Sequence, residues 1–333
     1  GLTVARNTKA GFNIREDGLQ NSPNKLIFYS STEVHSSNQK AIELLGLGKS
    51  SFRLIPVNQN YTINIEALKK AIEKDRQEGN RPVCVIATAG TINTGAIDDL
   101  NAIADLCEKE KLWLHIDGAI GAIAMLSDKV KPLLSGIERV DSVALDLHKW
   151  MHIPFEAGCI LVKNNDAHRT TFSLTPEYLA HETRGLPGGH LWFSDYGIQL
   201  SREFRALKIW MSVKEHGLKR FGRMIDRNIE QANYFADLVR NDPDMEIVAP
   251  VGLDIVCFRF NPGGIDKQNL NALNKEILLQ LHERAIAIPS YTTLNGRYCI
   301  RIAIANHRSK FEDFDLLARE VVKIGKELGS QYK

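Results

Sequence analysis

The chain of 333 residues is 44% hydrophobic and 25% charged with a formal net charge of +2, an ordinary globular balance with room for a large domain and a smaller one. Its ten histidines are scattered and no basic block occurs, which argues against nucleic acid or a membrane surface as partner. Five cysteines (Cys84, Cys107, Cys159, Cys257 and Cys299) are odd in number and far apart; they read as buried free thiols, without disulfide framework or metal site, and with no long apolar run or signal pattern the expected location is cytoplasmic.

In chain order, short apolar runs alternate with helical patterns between residues 26 and 162: LIFYS, FRLIPV, VCVIAT, LWLHID, SVALDL and GCILV. That alternation predicts a mostly parallel, doubly wound sheet with helices on both faces. LGLGKSS, at 45–51, ends like a phosphate-binding loop, but Glu43 stands where the first glycine belongs, so it reads as a helix C-terminus closed by glycine. Ile65, Leu68 and Ile72 give a helix after Asn64; Leu100, Ile103 and Cys107 give one after Asp98. Residues 184–197, rich in glycine with one proline, read as a long loop, and 197–240 as a helical connector broken at Gly217. DIVCFRF, a helix over 266–284, AIAIPS, YCIRIAI and a helix over about 310–328 then predict a small α+β domain. The expected division is 1–196, 197–240 and 241–333.

In open α/β sheets ligands sit beyond the carboxyl ends of the strands. Four such ends carry polar residues: His35 after LIFYS, Thr91 after VCVIAT, Asp117 closing LWLHID, and His148 with Lys149 after SVALDL. Singly, each has a plain reading: Lys149 snorkels to water, Asp117 ends a strand or caps a helix, His35 caps or packs, and Thr91 belongs to a turn. Jointly they suit one ligand, pyridoxal phosphate (PLP). A desolvated lysine amine forms a Schiff base with its aldehyde, and a carboxylate holds the pyridinium proton. An imidazole stacks on the ring, and a second imidazole donates to the phosphate.

These residues resemble the PLP-dependent group II amino-acid decarboxylases of fold type I, which include the aromatic-L-amino-acid, histidine and glutamate decarboxylases. HSSNQKA is similar to the segment of the ring-stacking histidine, here His35; HIDGAIGA implies Asp117 as pyridinium partner and Ala119 under the ring. HKW followed by PFEAGC resembles the Schiff-base segment, implying Lys149 as the lysine and His148 on the phosphate side. TPEYLAH, at 175–181, resembles the mobile loop whose tyrosine, Tyr178, returns a proton to the quinonoid carbon; REFRALKIW and YCIRIAIAN bring in Arg205 and Arg301 as substrate-binding or structural residues. The resemblance implies a seven-stranded-type sheet, a homodimer, and decarboxylation of an L-amino acid to amine and carbon dioxide.

Three departures stand out. Gly90-Thr91-Ile92 replaces the usual G-T-T, Asp146 puts a carboxylate near the expected phosphate, and an N-terminal segment with a glycine-serine phosphate loop is expected before GLTVARNTKAG. Another fold-type-I PLP enzyme (a carbon–carbon lyase, desulfurase or aminotransferase) and a non-catalytic homologue stand as alternatives.

Overall fold

The structure, a computed structural model, describes residues 1–174, 184–185 and 192–332. Tyr178 therefore lies outside the described residues. Two helices, α1 (Leu2–Lys9) and the single turn α2 (Ile14–Asp17), precede a first sheet in which strands and helices alternate. Its elements are β1 (Leu26–Ser31), α3 (Ser36–Leu44), β2 (Phe52–Ile55), α4 (Ile65–Gln77), β3 (Arg81–Thr88), α5 (Leu100–Glu110), β4 (Trp113–Asp117), β5 (Ser142–Asp146) and β6 (Gly158–Val162). The strand order is β2-β1-β3-β4-β5-β6, with the first five parallel and β6 antiparallel to β5. Six strands are thus present among the described residues, where the resemblance implies a seven-stranded type.

Beyond β6 come α6 (Asn165–Phe172), α7 (Arg205–His216) and α8 (Leu218–Asn241). A second sheet in the order β7-β8-β10-β9 follows, built from β7 (Met245–Ile247), β8 (Ile255–Phe260), β9 (Ser290–Leu294) and β10 (Arg297–Ala303), and covered by α9 (Lys267–Glu283) and α10 (Phe311–Gly329). α8 joins the two bodies. Phe221 and Ile225, near its start, enter the core under the first sheet, whereas Ala232, Phe235, Ala236 and Val239 enter that of the second.

Most element boundaries follow the sequence reading, and the departures have local causes. The fifth helix is capped by Asp99, whose side chain accepts from Ala102 N–H, and not by Asp98. Asp98 is buried and accepts from Ile63 N–H at 2.7 Å and Thr88 N–H at 2.8 Å, so it ties the end of β3 to the approach to α4. Residues 197–204 lie outside any helix, and α7 begins only at Arg205. AIAIPS is not a strand: α9 ends at Glu283, Ala285 follows at φ +54°, and pairing with β10 starts at Ser290. α3 does end at Leu44 and Gly46 has φ +75°, the helix terminus expected for LGLGKSS. Four cysteines are buried and Cys159 is partly exposed; none is paired. No helix among the described residues is long and apolar enough to cross a membrane.

The loop after β3 is where the two bodies meet. A β-carbon on Gly95 would lie 2.1 Å from Gly252 O, and Gly95 has φ +73°, so both the space and the backbone conformation there require glycine. Asn93 donates to Glu33, accepts through Oδ1 from the Thr292 hydroxyl, and accepts through its carbonyl from Arg301 Nε and the Cys257 thiol. Gly95→Ala should therefore lower the unfolding free energy by about 3 kcal/mol, read from the denaturant midpoint; a value within 0.5 kcal/mol of the parent, roughly the size of a neutral surface change, would show that the two loops separate freely.

Candidate active site

The site lies along the carboxyl edge of β3, β4 and β5. Register pairs Thr88 with Asp117 and Asp117 with Ala144, so three neighbouring strands end almost level. Leu114 and Ile116 face the core shared with α4 and α5, while Trp113 packs with Ile42 of α3 on the other face. Side chains alternate along a strand, so Asp117 projects to the α3 face with Trp113 and His115. Ser142 Oγ lies 2.8 Å from both Trp113 Nε1 and His115 Nδ1, fastening β4 to β5 on that face.

That placement brings Asp117 to the first turn of α3. Its Oδ2 accepts a 2.7 Å hydrogen bond from the Asn38 side-chain amide, and Oδ1 accepts from the backbone N–H of Ala119. His35 is the N-cap of α3: its Nδ1 accepts from Ser37 N–H and lies 2.7 Å from Ser37 Oγ. With Nδ1 accepting a backbone proton, the neutral ring carries its own proton on Nε2. His35 is exposed, and Asn38, one helical turn on, links its carbonyl to Asp117. Capping and proximity to the carboxylate hold together here.

Lys149 stands in the turn after β5, where its N–H donates to Asp146 O. The ammonium lies 2.8 Å from Asp146 Oδ2, and the side chain is 41% exposed. The lysine is therefore counter-charged at a partly open edge, not desolvated as the strand-end reading expects. Asp146, read from sequence as an awkward neighbour for a phosphate, is the group that holds the amine. His148 accepts at Nδ1 from Ala157 N–H, which puts the proton of its neutral form on Nε2, 3.9 Å from Asp146 Oδ2. Phe155 meets the same ring edge-on at 4.6 Å.

The remaining sequence candidates are placed differently. Thr91 is fully buried; its hydroxyl accepts from Ala96 N–H and pairs with Thr94, so it is committed to its own turn and not turned toward a ligand. Ala119 lies two residues after Asp117, and its carbonyl accepts from Asp146 N–H across the strand ends. Arg205 pairs with Glu156 at 2.6 Å, tethering the start of α7 to the segment after Lys149. Arg301 reaches Asn93 O and Ser290 Oγ, binding the second sheet to the loop after β3. Both arginines are interdomain or intersegment ties in this structure.

Sequence reading missed Asn38 and Asp146 as the lysine's partner. Asn38 was within reach of the helical three-residue spacing from His35. His152 and Asp254 line a cavity of about 450 Å³ with Lys149, between the first sheet and the second body. Among the described residues no cluster of three histidine, cysteine or acidic side chains is placed to hold a metal.

A family model described as the pyridoxal-dependent decarboxylase conserved domain matches residues 3–261. The chain is 37% identical over 332 residues to an aromatic-L-amino-acid decarboxylase of Bacillus atrophaeus, covering 99% of this chain and 67% of that enzyme. It is 36% identical over 291 residues to a histidine decarboxylase of Homo sapiens, covering 87% of this chain and 42% of that one. Among solved structures, Oryza sativa TDC with PLP and tryptamine superposes with a TM-score of 0.90 at 27% identity, over 98% of this chain and 67% of that one. The chain thus spans two thirds or less of the length of these relatives. A family match over most of the chain, on the fold that aligns Asp117 and Lys149 at one sheet edge, places this protein in the pyridoxal-dependent decarboxylase family.

Proposed function

We propose that the chain carries the PLP-binding site of an amino-acid decarboxylase, which releases carbon dioxide from an L-amino acid and leaves the amine. The observation that carries this reading is the shared edge of Asp117, held by Asn38 at the end of β4, and Lys149, held by Asp146 in the turn after the adjacent parallel strand β5. The residues fit the cofactor at its ring end: an amine, a carboxylate with a hydrogen-bonded oxygen, a small side chain at Ala119 and an exposed imidazole at His35. When bound, PLP supplies an electron sink for the bond to the leaving carboxylate.

The chain's own groups have distinct tasks. Lys149 would hold the cofactor covalently and release it to the substrate amine. Asp117 would keep a proton on the ring nitrogen, and Asn38 would fix the carboxylate's direction. His35 would cover the ring face, with Nδ1 tied down by the cap so that the ring cannot turn freely. His148 would offer Nε2–H to the phosphate, Nδ1 being occupied by Ala157 N–H. Tyr178, outside the described residues, is proposed from the TPEYLAH resemblance alone as the proton donor of the last step.

Assembly and location rest on other features. A homodimer is favoured by the apolar side chains that α7 and its approach expose, with Ile198 92%, Phe204 71% and Trp210 60% accessible. The unpaired cysteines favour the cytoplasm. Aromatic L-amino acids are the favoured substrates, in line with the Bacillus relative.

Carbon dioxide release from a panel of L-amino acids, with identification of the amine, tests the reaction directly. Lys149→Ala should yield a folded protein from which borohydride treatment recovers no covalently attached cofactor by mass spectrometry; an adduct elsewhere would transfer the role to another lysine. Asp117→Ala should cost more than the ~10²–10⁴-fold typical of a single acid–base group. Asn38→Ala, which removes one charge-assisted hydrogen bond of about 1.5–3 kcal/mol, should slow turnover roughly ten- to a hundredfold with the cofactor still bound. A parent-like rate in Asn38→Ala would mean that Asp117 needs no support. Tyr178→Phe should leave cofactor binding unchanged and slow or divert proton return, seen as loss of amine or appearance of aldehyde; parent-rate amine formation would remove the tyrosine from the mechanism.

A further inference from the structure

A second cavity, of about 560 Å³, opens at the opposite end of the first sheet, against the amino ends of β1, β3 and β4 and the carboxyl ends of α4 and α5. β3 runs eight residues from Arg81, on the cavity wall, to Thr88 beside Asp117, which puts roughly 20 Å between the cavity and the candidate active site. Five cations line it, Lys9, Arg76, Arg81, Lys109 and Lys111, with Glu110 as the one acid among the described residues. The cavity thus carries four net positive charges in a chain whose total is +2, so the rest of the molecule is net negative.

Basic side chains near helix carboxyl ends offset the helix dipole, and part of this cluster does so. Arg76 donates to Glu110 O and pairs with its carboxylate at 3.1 Å, and Lys109 reaches the same carboxylate at 4.0 Å. Lys9, Arg81 and Lys111 have no ion pair among the described residues: Lys9 Nζ donates to Lys111 O, and Arg81 Nε donates to Lys9 O at 2.6 Å. Two of these three are held in a set geometry. The Arg81 guanidinium lies against the backbone of Gly11, where a β-carbon would stand 2.6 Å from the guanidinium carbon. With Nε tied to Lys9 O, its two terminal nitrogens are left without hydrogen-bond partners among the described residues. A planar fork fixed along one edge and free along the other suits two oxygens of one anion. Lys111 stands at φ +56° just past α5, a left-handed conformation that glycine adopts freely. A lysine there gives up some stability for a side chain that bonds to nothing among the described residues, and such local strain points to a functional position.

We propose that this cavity binds a small oligophosphate, a ligand bearing a diphosphate group, through Arg81, Lys111 and Lys9. Three unpaired cations around one concave surface match several negative charges on one compact body. No aromatic side chain lines the cavity among the described residues, so a nucleotide is held there by its phosphates and its base goes unread. A long nucleic-acid strand needs an extended basic track, which a net negative remainder of the surface does not provide. The site is independent of the decarboxylase reading and uses none of its residues.

The test is calorimetric titration of the full chain, loaded with PLP and freed of excess cofactor, with inorganic pyrophosphate; sulfate, ADP and a single-stranded DNA oligonucleotide are the comparisons. Pyrophosphate should bind at least about tenfold more tightly than sulfate, and its affinity should fall as salt is raised. Arg81→Gln should weaken pyrophosphate binding by about tenfold or more. Lys111→Gly should weaken it severalfold without lowering the melting temperature, because glycine suits the left-handed backbone, a combination that a structural lysine would not give. Lys323→Gln, at an exposed lysine of α10, should leave the affinity at the parent value and controls for net charge. Equal affinity for ADP and pyrophosphate upholds the site for a bare oligophosphate, and tighter ADP upholds it for a nucleotide. Absence of pyrophosphate binding, an unchanged affinity in Arg81→Gln and Lys111→Gly, an equal loss in Lys323→Gln, or binding of the oligonucleotide alone overturns it.

Discussion

Register among three parallel strands is the constraint from which the site follows. Because side chains alternate faces, a one-residue slip of β4 would turn Asp117 toward the core of Leu114 and Ile116 and expose those side chains on the other face. The pairing of Thr88, Asp117 and Ala144 is therefore fixed by burial on one face and by the Trp113, His115 and Ser142 hydrogen bonds on the other. Once the strands end level, the turn after β5 carries Lys149 to the same edge, and α3 lays Asn38 against Asp117. The charges are then fixed by short, local partners: Asp146 three residues before the lysine, and Asn38 three residues after the histidine that caps its helix.

The second body completes the edge from above. Leu253 inserts into the core of the first sheet, next to the backbone contact of Gly95 with Gly252, and Asp254 is the next residue. Its position is thus set by apolar packing and by the loop after β3, with Asn93 receiving Arg301, Cys257 and Thr292 from three different strands. Arg301, which the family resemblance brings in as a substrate-binding or structural residue, joins the second sheet to that loop here.

The fold was legible because it rests on repeated local signals: apolar runs of strand length, helical spacing, and caps such as Asn64 and Asp266. Lys149 and Asp117 were legible for the same reason, as charged residues at the ends of runs that must be buried. Asp98 and Asp99 were not separable in this way, since either carboxylate could cap, and only the tertiary fold demands a buried acceptor for Ile63 and Thr88. AIAIPS misled because alternating apolar residues suit a strand, whereas the left-handed turn at Ala285 delays pairing until Ser290. Asp254 and His152 carry no local signal at all. They lie about a hundred residues apart in the sequence and line one cavity only once the two bodies dock.

Buried polar groups in this protein differ in how fully they are paired. Groups whose task is structural are saturated: Asp98 accepts twice, Asn93 is bonded in four directions, and Thr91 is enclosed by its own turn. Asp254 is as deeply set, and burial displaces its carboxyl toward protonation, a poor arrangement for stability. The large apolar cores on either side of α8 tolerate it, since a few kcal/mol lost at one buried site is small beside the burial energy of two sheets. Substitution of Asp254 by leucine should therefore leave stability unimpaired, while substitution of Asp98 or Asn93 should lower it.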